Sequence, residues 1–424
     1  MNHIFDHTPD SLAAWCAAHA MPPFRATQIL DWVYRRGVID PAAMTNLSIR
    51  DRDTLARDIT FLSGHTLAHQ LATDGTQKLL IQWNERGSDE ATERRSDGEA
   101  SQAARQRDSE TGAGRTADPI NPATRLTILS PSLPTPDTSR QTECVMIPSL
   151  PRDDDDSGGP GLQPGSGPDR RTACISSQVG CPVGCRFCAS GLGGLDANLS
   201  TGRIVEQVWR LRHILDRYPV NPTDLPRITN VVFMGMGEPL SNFRAVTSAI
   251  RTIAAPWGHA ISARKITIST VGMPRAIERL AEEFDLPVTL ALSLHAPTDA
   301  IRRSLIPWAE YSTIEQLLAA CQKWFAKTGR EVTLEYTLLA SVNDRPEHAA
   351  ELARLAKTLR ANINLIRYNE VAGMPFNRPA TADVRAFQDI LRARGVNAHI
   401  RASRGRDIAA ACGQLRHETA GAGA

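Results

Sequence analysis

The second half of the chain alternates between short apolar runs and longer amphipathic segments. Six runs rich in Val, Ile and Leu have the length and composition of buried β-strands, namely TACISS, ITNVVFMG, RKITIST, PVTLALSLH, EVTLEYTLL and NINLIRYN. Segments between them, such as GRIVEQVWRLRHIL and TIEQLLAACQKWF, have apolar residues at helical spacing. This alternation predicts an α/β fold with a parallel sheet that forms a barrel or partial barrel, and with chemistry at the carboxyl ends of its strands.

The beginning of the chain has a different pattern. Helical spacing occurs in SLAAWCAAHA, in FRATQILDWVYRRG and near residues 51–59, and the strand-like run GTQKLLIQW follows. We therefore predict a small N-terminal helical accessory domain at residues 1–84 that ends in a strand. The partial barrel is predicted at residues 171–400, and a C-terminal segment at residues 401–424 follows it.

Two stretches lack the large apolar residues that a packed core requires. Residues 85–141 are rich in charged residues, Ser and Pro, and residues 152–170 join an acidic run to a Gly/Pro-rich tail. We predict that both are disordered or form surface loops. Between them, residues 142–151 contain the apolar run ECVMIP and are predicted to form a strand.

Composition and charge set only broad limits on function. Of the 424 residues, 42% are hydrophobic and 22% are charged, which is ordinary for a globular protein. No stretch is apolar enough to span a bilayer, and no basic-then-apolar leader is visible, so we expect a cytoplasmic protein with no membrane partner. The net charge is +2, but both inserts are acidic, so the remainder is more basic and an anionic partner is plausible.

Four of the eight cysteines lie in CISSQVGCPVGCRFCAS, residues 174–190. Three of them, Cys181, Cys185 and Cys188, have the uneven spacing Cys-X3-Cys-X2-Cys, which in a reducing compartment indicates metal binding or catalysis rather than a disulfide framework. A structural zinc site would need a fourth ligand nearby, and none follows. Three thiolates on a four-iron cube would leave one iron open to a small molecule. Three unligated core cysteines are the plainest alternative.

A second motif, MGMGEP at residues 234–239, ends the second predicted barrel strand. Gly237 would let the backbone approach a ligand, and Glu238 would accept a hydrogen bond from an ammonium group. Taken alone, the motif is equally compatible with an ordinary turn between a strand and a helix.

The cysteine spacing, with Phe187 before the last cysteine, resembles the signature of radical S-adenosylmethionine (SAM) enzymes. Six segments resemble a narrower family, the radical SAM methyltransferases that modify carbon 2 of adenine in ribosomal RNA and in certain transfer RNAs. They are PPFRATQILDWVYRRGVIDPAAMTNLS, CISSQVGC, MGMGEPLSN, ISTVGMPRAI, LSLHAPTDAIRRSLIP and RGRDIAAACGQLR. The resemblance covers nearly the whole chain outside the two inserts and implies the radical SAM partial (β/α)6 barrel.

The resemblance implies cofactor-binding roles for the matching residues. The cysteines at positions 181, 185 and 188 would hold a [4Fe-4S] cluster. The residues expected to contact SAM are Gly237, Glu238, Ser269, Ser293, Leu294, His295 and Asn369. By residue type alone, the two serines are equally typical of helix caps, and the histidine of a hydrogen-bonded core residue.

The resemblance also implies a two-cysteine mechanism that consumes two SAM molecules per turnover. Cys412 would take a methyl group from the first SAM, and loss of a hydrogen atom from that methyl group would give the carbon radical that adds to adenine. Glu143 would remove the ring proton, and Cys174 would attack the Cys412 sulfur, so that the RNA is released as a disulfide forms. By residue type alone, Cys412 is typical of packing and Glu143 of an exposed strand end.

The implied partners are 23S rRNA, tRNA and an electron donor such as flavodoxin or ferredoxin. Arginines near Cys412, including Arg401 and Arg404, are candidates for phosphate contacts, and the aromatic and basic residues of the N-terminal helices are candidates for RNA stacking. The alternatives are a solvated face for the arginines and a helix core for Trp32 and Tyr34.

The chain departs from the family pattern at three places. The insert at residues 152–170 replaces a short link and puts the loop geometry in question. Leu195 and Ala197 stand near positions where the family tends to have an aromatic residue and an arginine, so an RNA or cofactor contact is in question. Arg367 and Glu370 stand where prolines are common, which puts the substrate preference in question.

Two other functions remain compatible with these motifs. Methylation of adenine carbon 8 would use the same catalytic residues, so the motifs do not separate it from methylation of carbon 2. A non-catalytic RNA-binding iron-sulfur protein would keep the cluster but lack turnover.

Overall fold

A computed structural model describes residues 2–84, 126–128, 140–148, 170–217 and 227–415. The strands are β1 (Asn2–His3), β2 (Ile59–Thr60), β3 (Gly64–Leu71), β4 (Gln77–Trp83), β5 (Leu126–Ile128), β6 (Gln141–Pro148), β7 (Arg171–Cys174), β8 (Gln178–Gly180), β9 (Leu195–Asn198), β10 (Asn230–Phe233), β11 (Ile266–Thr270), β12 (Thr289–Ser293), β13 (Val332–Leu338), β14 (Ala361–Arg367) and β15 (Ala398–Arg401). The α-helices are α1 (Pro9–Ala18), α2 (Arg25–Tyr34), α3 (Ile49–Asp58), α4 (Thr201–Arg217), α5 (Phe243–Ala254), α6 (Pro274–Glu283), α7 (Asp299–Leu305), α8 (Ile314–Thr328), α9 (Pro346–Ala356) and α10 (Thr381–Ala393). Within these residues, no helix is long and apolar enough to cross a bilayer.

Eleven of the described strands form one open sheet. Seven of them are parallel neighbours, in the order β15-β14-β13-β12-β11-β10-β7. The antiparallel strands β6, β4, β3 and β5 extend the sheet beyond β7. The six runs predicted from the sequence correspond to β7 and β10–β14, and β15 is a seventh parallel strand. The predicted α/β fold is confirmed.

Successive side chains of the barrel strands point to opposite faces of the sheet. One face is buried in the hydrophobic core, and the other lines a cavity. In β13, Leu334, Tyr336 and Leu338 are buried in the main hydrophobic core. Glu335 and Thr337 lie on the opposite face and line a cavity. The sheet therefore presents polar side chains to its concave side, where a ligand can reach them.

The N-terminal part of the chain joins the barrel directly. Helices α1, α2 and α3 form its helical portion, and β3 and β4 continue the central sheet. Tyr34 is 1% exposed and belongs to the core, whereas Phe24 is 59% exposed. Trp32 is partly buried against the core, and the Arg36 guanidinium lies 4.2 Å from the centre of its ring.

The prediction that residues 85–141 are disordered or form a surface loop differs from the structure at two places. Leu126–Ile128 form β5, which pairs antiparallel with β3, and Gln141 begins β6. The physical reason is that β3 would otherwise present an unpaired edge of backbone N–H and C=O groups, and the run Leu-Thr-Ile has high β-propensity. The other residues of the two inserts, 85–125, 129–139 and 149–169, lie outside the described residues.

A buried carboxylate holds the N-terminal region against α4. Glu206 has no solvent exposure, and its carboxylate accepts hydrogen bonds from the backbone N–H and the hydroxyl of Ser63, both at 2.8 Å. His3 lies 3.0 Å from the same oxygen, and Arg210 pairs with the other oxygen at 2.6 Å. Burial alone would raise the pKa of Glu206, but the His3 hydrogen bond and the Arg210 charge lower it to about 2.

We predict that Glu206→Ala lowers the free energy of unfolding by about 3–5 kcal/mol at pH 7, because it leaves the buried Arg210 without its partner. The wild-type contribution should be present above the usual carboxyl pKa of 4.5 and be lost as the pH falls towards about 2, since the folded-state pKa is the lower one. Urea unfolding as a function of pH measures both effects. The exposed Glu282→Ala is the matched control and should change stability by less than about 0.5 kcal/mol. Equal effects of the two substitutions would contradict this account of Glu206.

Candidate active site

A cavity lies at the carboxyl ends of the parallel strands, where the sequence predicts chemistry. Its lining includes every predicted cluster and SAM residue except one: Cys181, Cys185, Cys188, Gly237, Glu238, Ser269, Ser293, His295 and Asn369. Cys412 also lines it. The exception is Leu294, which is fully buried in the hydrophobic core and whose carbonyl oxygen accepts a hydrogen bond from Arg302. Residues far apart in the sequence therefore meet in one chamber.

The three clustered cysteines lie on a loop that follows β8. Two backbone hydrogen bonds fix the loop, from Cys181 N to Gly194 O at 2.7 Å and from Arg186 N to Leu305 O at 2.9 Å. Burial raises the pKa of all three thiols, to about 12 for Cys181. Since a metal ligand must be a thiolate, these thiols need a nearby positive charge to be ionised at neutral pH.

Two observations bear on what the cysteine loop can hold. The described residues contain no group of three or more His, Cys, Asp or Glu side chains arranged around a single metal ion. A zinc site requires that arrangement, whereas each thiolate of an iron-sulfur cube binds a different iron, so the sulfurs need not converge on one point. Arg302 is 1% exposed, and its charge opposes the rise that burial causes in the pKa of Cys185. Its Nη1 has no hydrogen-bond partner among the described residues. A buried cation with a free donor fits an anionic cluster.

The Gly-Glu pair of the second motif forms a rigid corner of the cavity. Gly237 has a φ of +99°, and a Cβ atom there would lie 2.6 Å from the Gln178 side chain, so only glycine fits. Glu238 is 3% exposed, and its carboxylate accepts hydrogen bonds from Leu240 N at 3.0 Å and Val271 N at 2.8 Å. Burial raises the pKa of Glu238 to about 7.

His295 presents a neutral donor at the cavity wall. Its Nδ1 accepts a hydrogen bond from Thr337 N at 3.0 Å, and its ring meets Phe187 edge to face with the centroids 5.1 Å apart. Burial lowers the pKa of His295 to about 3, so the ring is neutral near pH 7. With Nδ1 occupied as an acceptor, the ring hydrogen lies on Nε2.

A second, smaller cavity adjoins the first. It is lined by Cys174 and Cys412, and Cys412 is shared with the first cavity. Burial and the neighbouring Cys412 raise the pKa of Cys174 to about 12, and the charge of Arg401 opposes them. All eight cysteines are free, so the structure does not support a disulfide bond between Cys174 and Cys412 in this state. Cys412 thus faces both the cluster loop and its predicted partner thiol.

Hydrogen bonds hold the loop that carries Cys412. Asn369 Nδ2 donates to the Cys412 carbonyl at 3.3 Å, while Asn369 Oδ1 accepts from Arg378 at 2.8 Å. Ala189 N donates to Gly413 O at 2.8 Å, beside the cluster loop. The backbone of this loop therefore connects the first cavity, the loop of the three clustered cysteines and the C-terminal segment.

Glu143 lies beside this arrangement but does not line either cavity. It shares one face of β6 with Val145 and Ile147, and Ile147 lines the second cavity. Its carboxylate forms a 2.7 Å ion pair with Lys78, and Lys78 Nζ also donates to Ala409 O at 3.2 Å. Lys78 was not predicted from the sequence, because its partners lie 65 and 331 positions away.

The structure gives Arg401 a different place from the predicted RNA contact. Arg401 ends β15 and lines both cavities, and its guanidinium lies 3.2 Å from Met234 Sδ. The side chains of Cys412, Glu335 and Cys174 raise its pKa. Arg401 is therefore a charged group inside the site, whereas Arg404 lines only the second cavity.

Two of the departures from the family pattern have structural partners. Arg367 donates to Pro379 O at 2.8 Å and to Thr381 Oγ1 at 2.9 Å. Glu370 accepts a hydrogen bond from Arg378 N at 3.2 Å. Where the family has prolines, these side chains brace the segment after β14 that also carries Asn369. Of the remaining departures, Leu195 and Ala197 lie in β9, which pairs with β8 next to the loop of the clustered cysteines. Residues 152–169 of the insert lie outside the described residues.

Comparisons with known proteins identify the family that this chain resembles. The family model of the radical SAM superfamily matches residues 175–353, and that of the ribosomal RNA large subunit methyltransferase N-terminal domain matches residues 2–60. A probable dual-specificity RNA methyltransferase RlmN from Thermosynechococcus vestitus is 38% identical, over 96% of this chain and 95% of the relative. A dual-specificity RNA methyltransferase RlmN from Dichelobacter nodosus is 35% identical, over 97% and 93%. The crystal structure of a radical SAM methyltransferase from Sphaerobacter thermophilus has a TM-score of 0.76 and 34% identity, over 99% of this chain and 100% of that chain.

Proposed function

This chain belongs to the RlmN family of radical SAM RNA methyltransferases, and on that premise we propose that it methylates carbon 2 of an adenine in 23S rRNA and in tRNA. The observation that carries the proposal is the position of Cys412, which lines both the cavity of the three clustered cysteines and the cavity of Cys174. A methyl-carrying thiol requires access to a methyl donor on one side and to a resolving thiol on the other.

The cofactors in this proposal are a [4Fe-4S] cluster held by Cys181, Cys185 and Cys188, and SAM bound in the adjoining cavity. When bound, they supply the transferred methyl group and a reductively generated radical, with electrons from a donor such as flavodoxin or ferredoxin. The free donor of Arg302 and the nearby Gly237-Glu238 corner support binding of an anionic cluster and an amino-acid group at this end of the cavity.

The remaining steps belong to side chains of this chain. Adenine carbon 2 is electron-poor, so it does not accept a methyl group as an ordinary nucleophile would. Cys412 Sγ accepts the methyl group, and loss of one hydrogen atom from it to the radical that the bound cofactors would supply leaves a carbon radical that adds to the ring. The adduct radical then gives up one electron. The Glu143 carboxylate takes the ring proton, and the Cys174 thiolate attacks Cys412 Sγ. The Cys412–carbon bond breaks as the disulfide forms, its electron pair leaves with the carbon, and that carbon takes up a proton to become the methyl group. A thiol reductant restores both cysteines.

The ion pair between Lys78 and Glu143 holds the proposed base in position relative to the Cys412 segment. Lys78 Nζ lies 2.7 Å from the Glu143 carboxylate and donates a hydrogen bond to Ala409 O, in the segment that carries Cys412. The same lysine therefore contacts both the proposed base and the segment of the proposed methyl carrier. For the RNA itself, the exposed Phe24 ring beside Arg25 offers a stacking surface with a cation.

Product analysis tests the proposed function. The protein is reconstituted with iron and sulfide without oxygen and incubated with 23S rRNA, SAM and a reductant. We expect free 5'-deoxyadenosine in the reaction mixture and 2-methyladenosine in the nucleoside digest of the RNA, identified by mass spectrometry and NMR. Detection of 8-methyladenosine would move the reaction to carbon 8. An intact cluster with neither product would instead favour an RNA-binding protein without turnover.

We predict that Cys174→Ala accumulates a covalent protein–RNA adduct through Cys412, because the thiol that breaks the Cys412–carbon bond is missing. Denaturing gel electrophoresis and peptide mass spectrometry detect the adduct. Cys144→Ala is the matched control, since Cys144 is also buried but lies in the main hydrophobic core, on the face of β6 opposite Glu143. The control should release RNA normally. Normal release by Cys174→Ala would remove the two-cysteine mechanism.

A further inference from the structure

Glu335 has a buried carboxylate oxygen that no described residue satisfies. The residue is 2% exposed, and its Oε1 accepts a hydrogen bond from Asn364 Nδ2 at 3.0 Å. Its Oε2 is buried without a hydrogen-bond partner among the described residues. Buried polar atoms in native proteins are nearly always paired, and an unpaired one costs about 1–3 kcal/mol, or more for a charged group. The carboxylate therefore has an unused acceptor.

The strand register places this acceptor in the cofactor cavity. Glu335 is the direct partner of Ser293 across β12 and β13, and of Asn364 across β13 and β14. Paired residues of neighbouring strands project from the same face of the sheet. Ser293 Oγ lies 3.3 Å from Ser269 Oγ, and these two serines and Glu335 all line the cavity that contains the cluster cysteines. Three hydrogen-bonding groups thus form one row across three strands.

The charged groups near Glu335 do not occupy its Oε2, which remains able to accept a hydrogen bond from a ligand. Burial raises the pKa of Glu335, while the charge of Arg401 and the hydrogen bond from Asn364 oppose this effect. Arg401 lines the same cavity, but it does not donate a hydrogen bond to Oε2. A neutral hydrogen-bond donor on a ligand could therefore bind Oε2 without displacing the Arg401 guanidinium from it.

We propose that Glu335 binds a ribose hydroxyl of SAM, together with the Ser269 and Ser293 hydroxyls. This inference rests on the proposed use of SAM as the cofactor. SAM carries donors in its ammonium group, its adenine amino group and its ribose diol. The ammonium belongs at the end of the cavity formed by the cysteines and Glu238. Each ribose hydroxyl both donates and accepts, so two adjacent hydroxyls match a row of serine hydroxyls and a carboxylate acceptor.

Recognition of this kind predicts discrimination against ligands that lack a hydroxyl. A site built to hydrogen-bond a hydroxyl rejects the deoxy analogue strongly, because its buried polar groups are then left unpaired. Glu335 would be a specificity-determining residue for the ribose. Its loss should lower the affinity for SAM, and it should also reduce the difference in affinity between ligands with and without the ribose hydroxyl.

Equilibrium binding to the reconstituted full-length protein tests the proposal. The ligands are SAM, S-adenosylhomocysteine and its 2'-deoxy and 3'-deoxy analogues. Glu335→Met removes the acceptor at similar size, and Glu335→Gln keeps one neutral acceptor. We expect SAM affinity to fall roughly 10- to 100-fold in the Met variant and less in the Gln variant. At least one deoxy analogue should bind much more weakly than S-adenosylhomocysteine to the wild type, but nearly as well to the Met variant.

Controls separate this inference from the proposed function. Glu331→Gln, at the exposed position immediately before the same strand, should leave SAM affinity within about twofold. Iron content and thermal unfolding establish that each variant is folded and loaded, and the Gln variant provides the test if the Met variant does not fold. Wild-type SAM affinity in a folded, loaded variant would overturn the role of Glu335. Equal losses for the hydroxylated and both deoxy ligands would overturn the ribose assignment. A wild-type protein that does not bind SAM would overturn the proposed function as well.

Discussion

The rest of the site depends on how the loop with Cys412 is held against the open ends of the barrel strands. Its backbone receives hydrogen bonds from Asn369 after β14 and from Ala189 after the cluster loop. These contacts place one thiol at the junction of two cavities. Without them, Cys412 would be an ordinary cysteine in a small apolar segment, and the proposed methyl donor and resolving thiol would have no defined target.

Burial is the second constraint, and it shifts the pKa of several ionisable groups in the site. It raises the pKa of Cys174, Cys181 and Glu238, and it lowers the pKa of His295. The protein offsets part of this cost with buried cations, since Arg302 lies near the cluster loop and Arg401 near the two thiols of the second cavity. The site thus combines low water access, which protects radical intermediates, with the charges that thiolate chemistry requires.

The sequence was sufficient for features that depend on local spacing. The three clustered cysteines lie within eight residues, and the strand and helix periods were strong enough to predict the α/β fold. Lys78 and Glu335 were not predicted, because each looks like one of several ordinary polar residues along a strand. Their roles depend on partners such as Ala409, Glu143 and Ser293, which only the sheet register brings close. Strand β5 was missed because its pairing with β3 crosses a long polar insert.

The most direct test of the central claim is whether Cys412 itself carries the methyl group during turnover. The reconstituted protein is supplied with RNA, reductant and SAM that bears a trideuterated methyl group, and its peptides are analysed by mass spectrometry. The account predicts deuterated methyl on the Cys412 peptide and none on the Cys174 peptide. Deuterium in the RNA base without any label at Cys412 would contradict it.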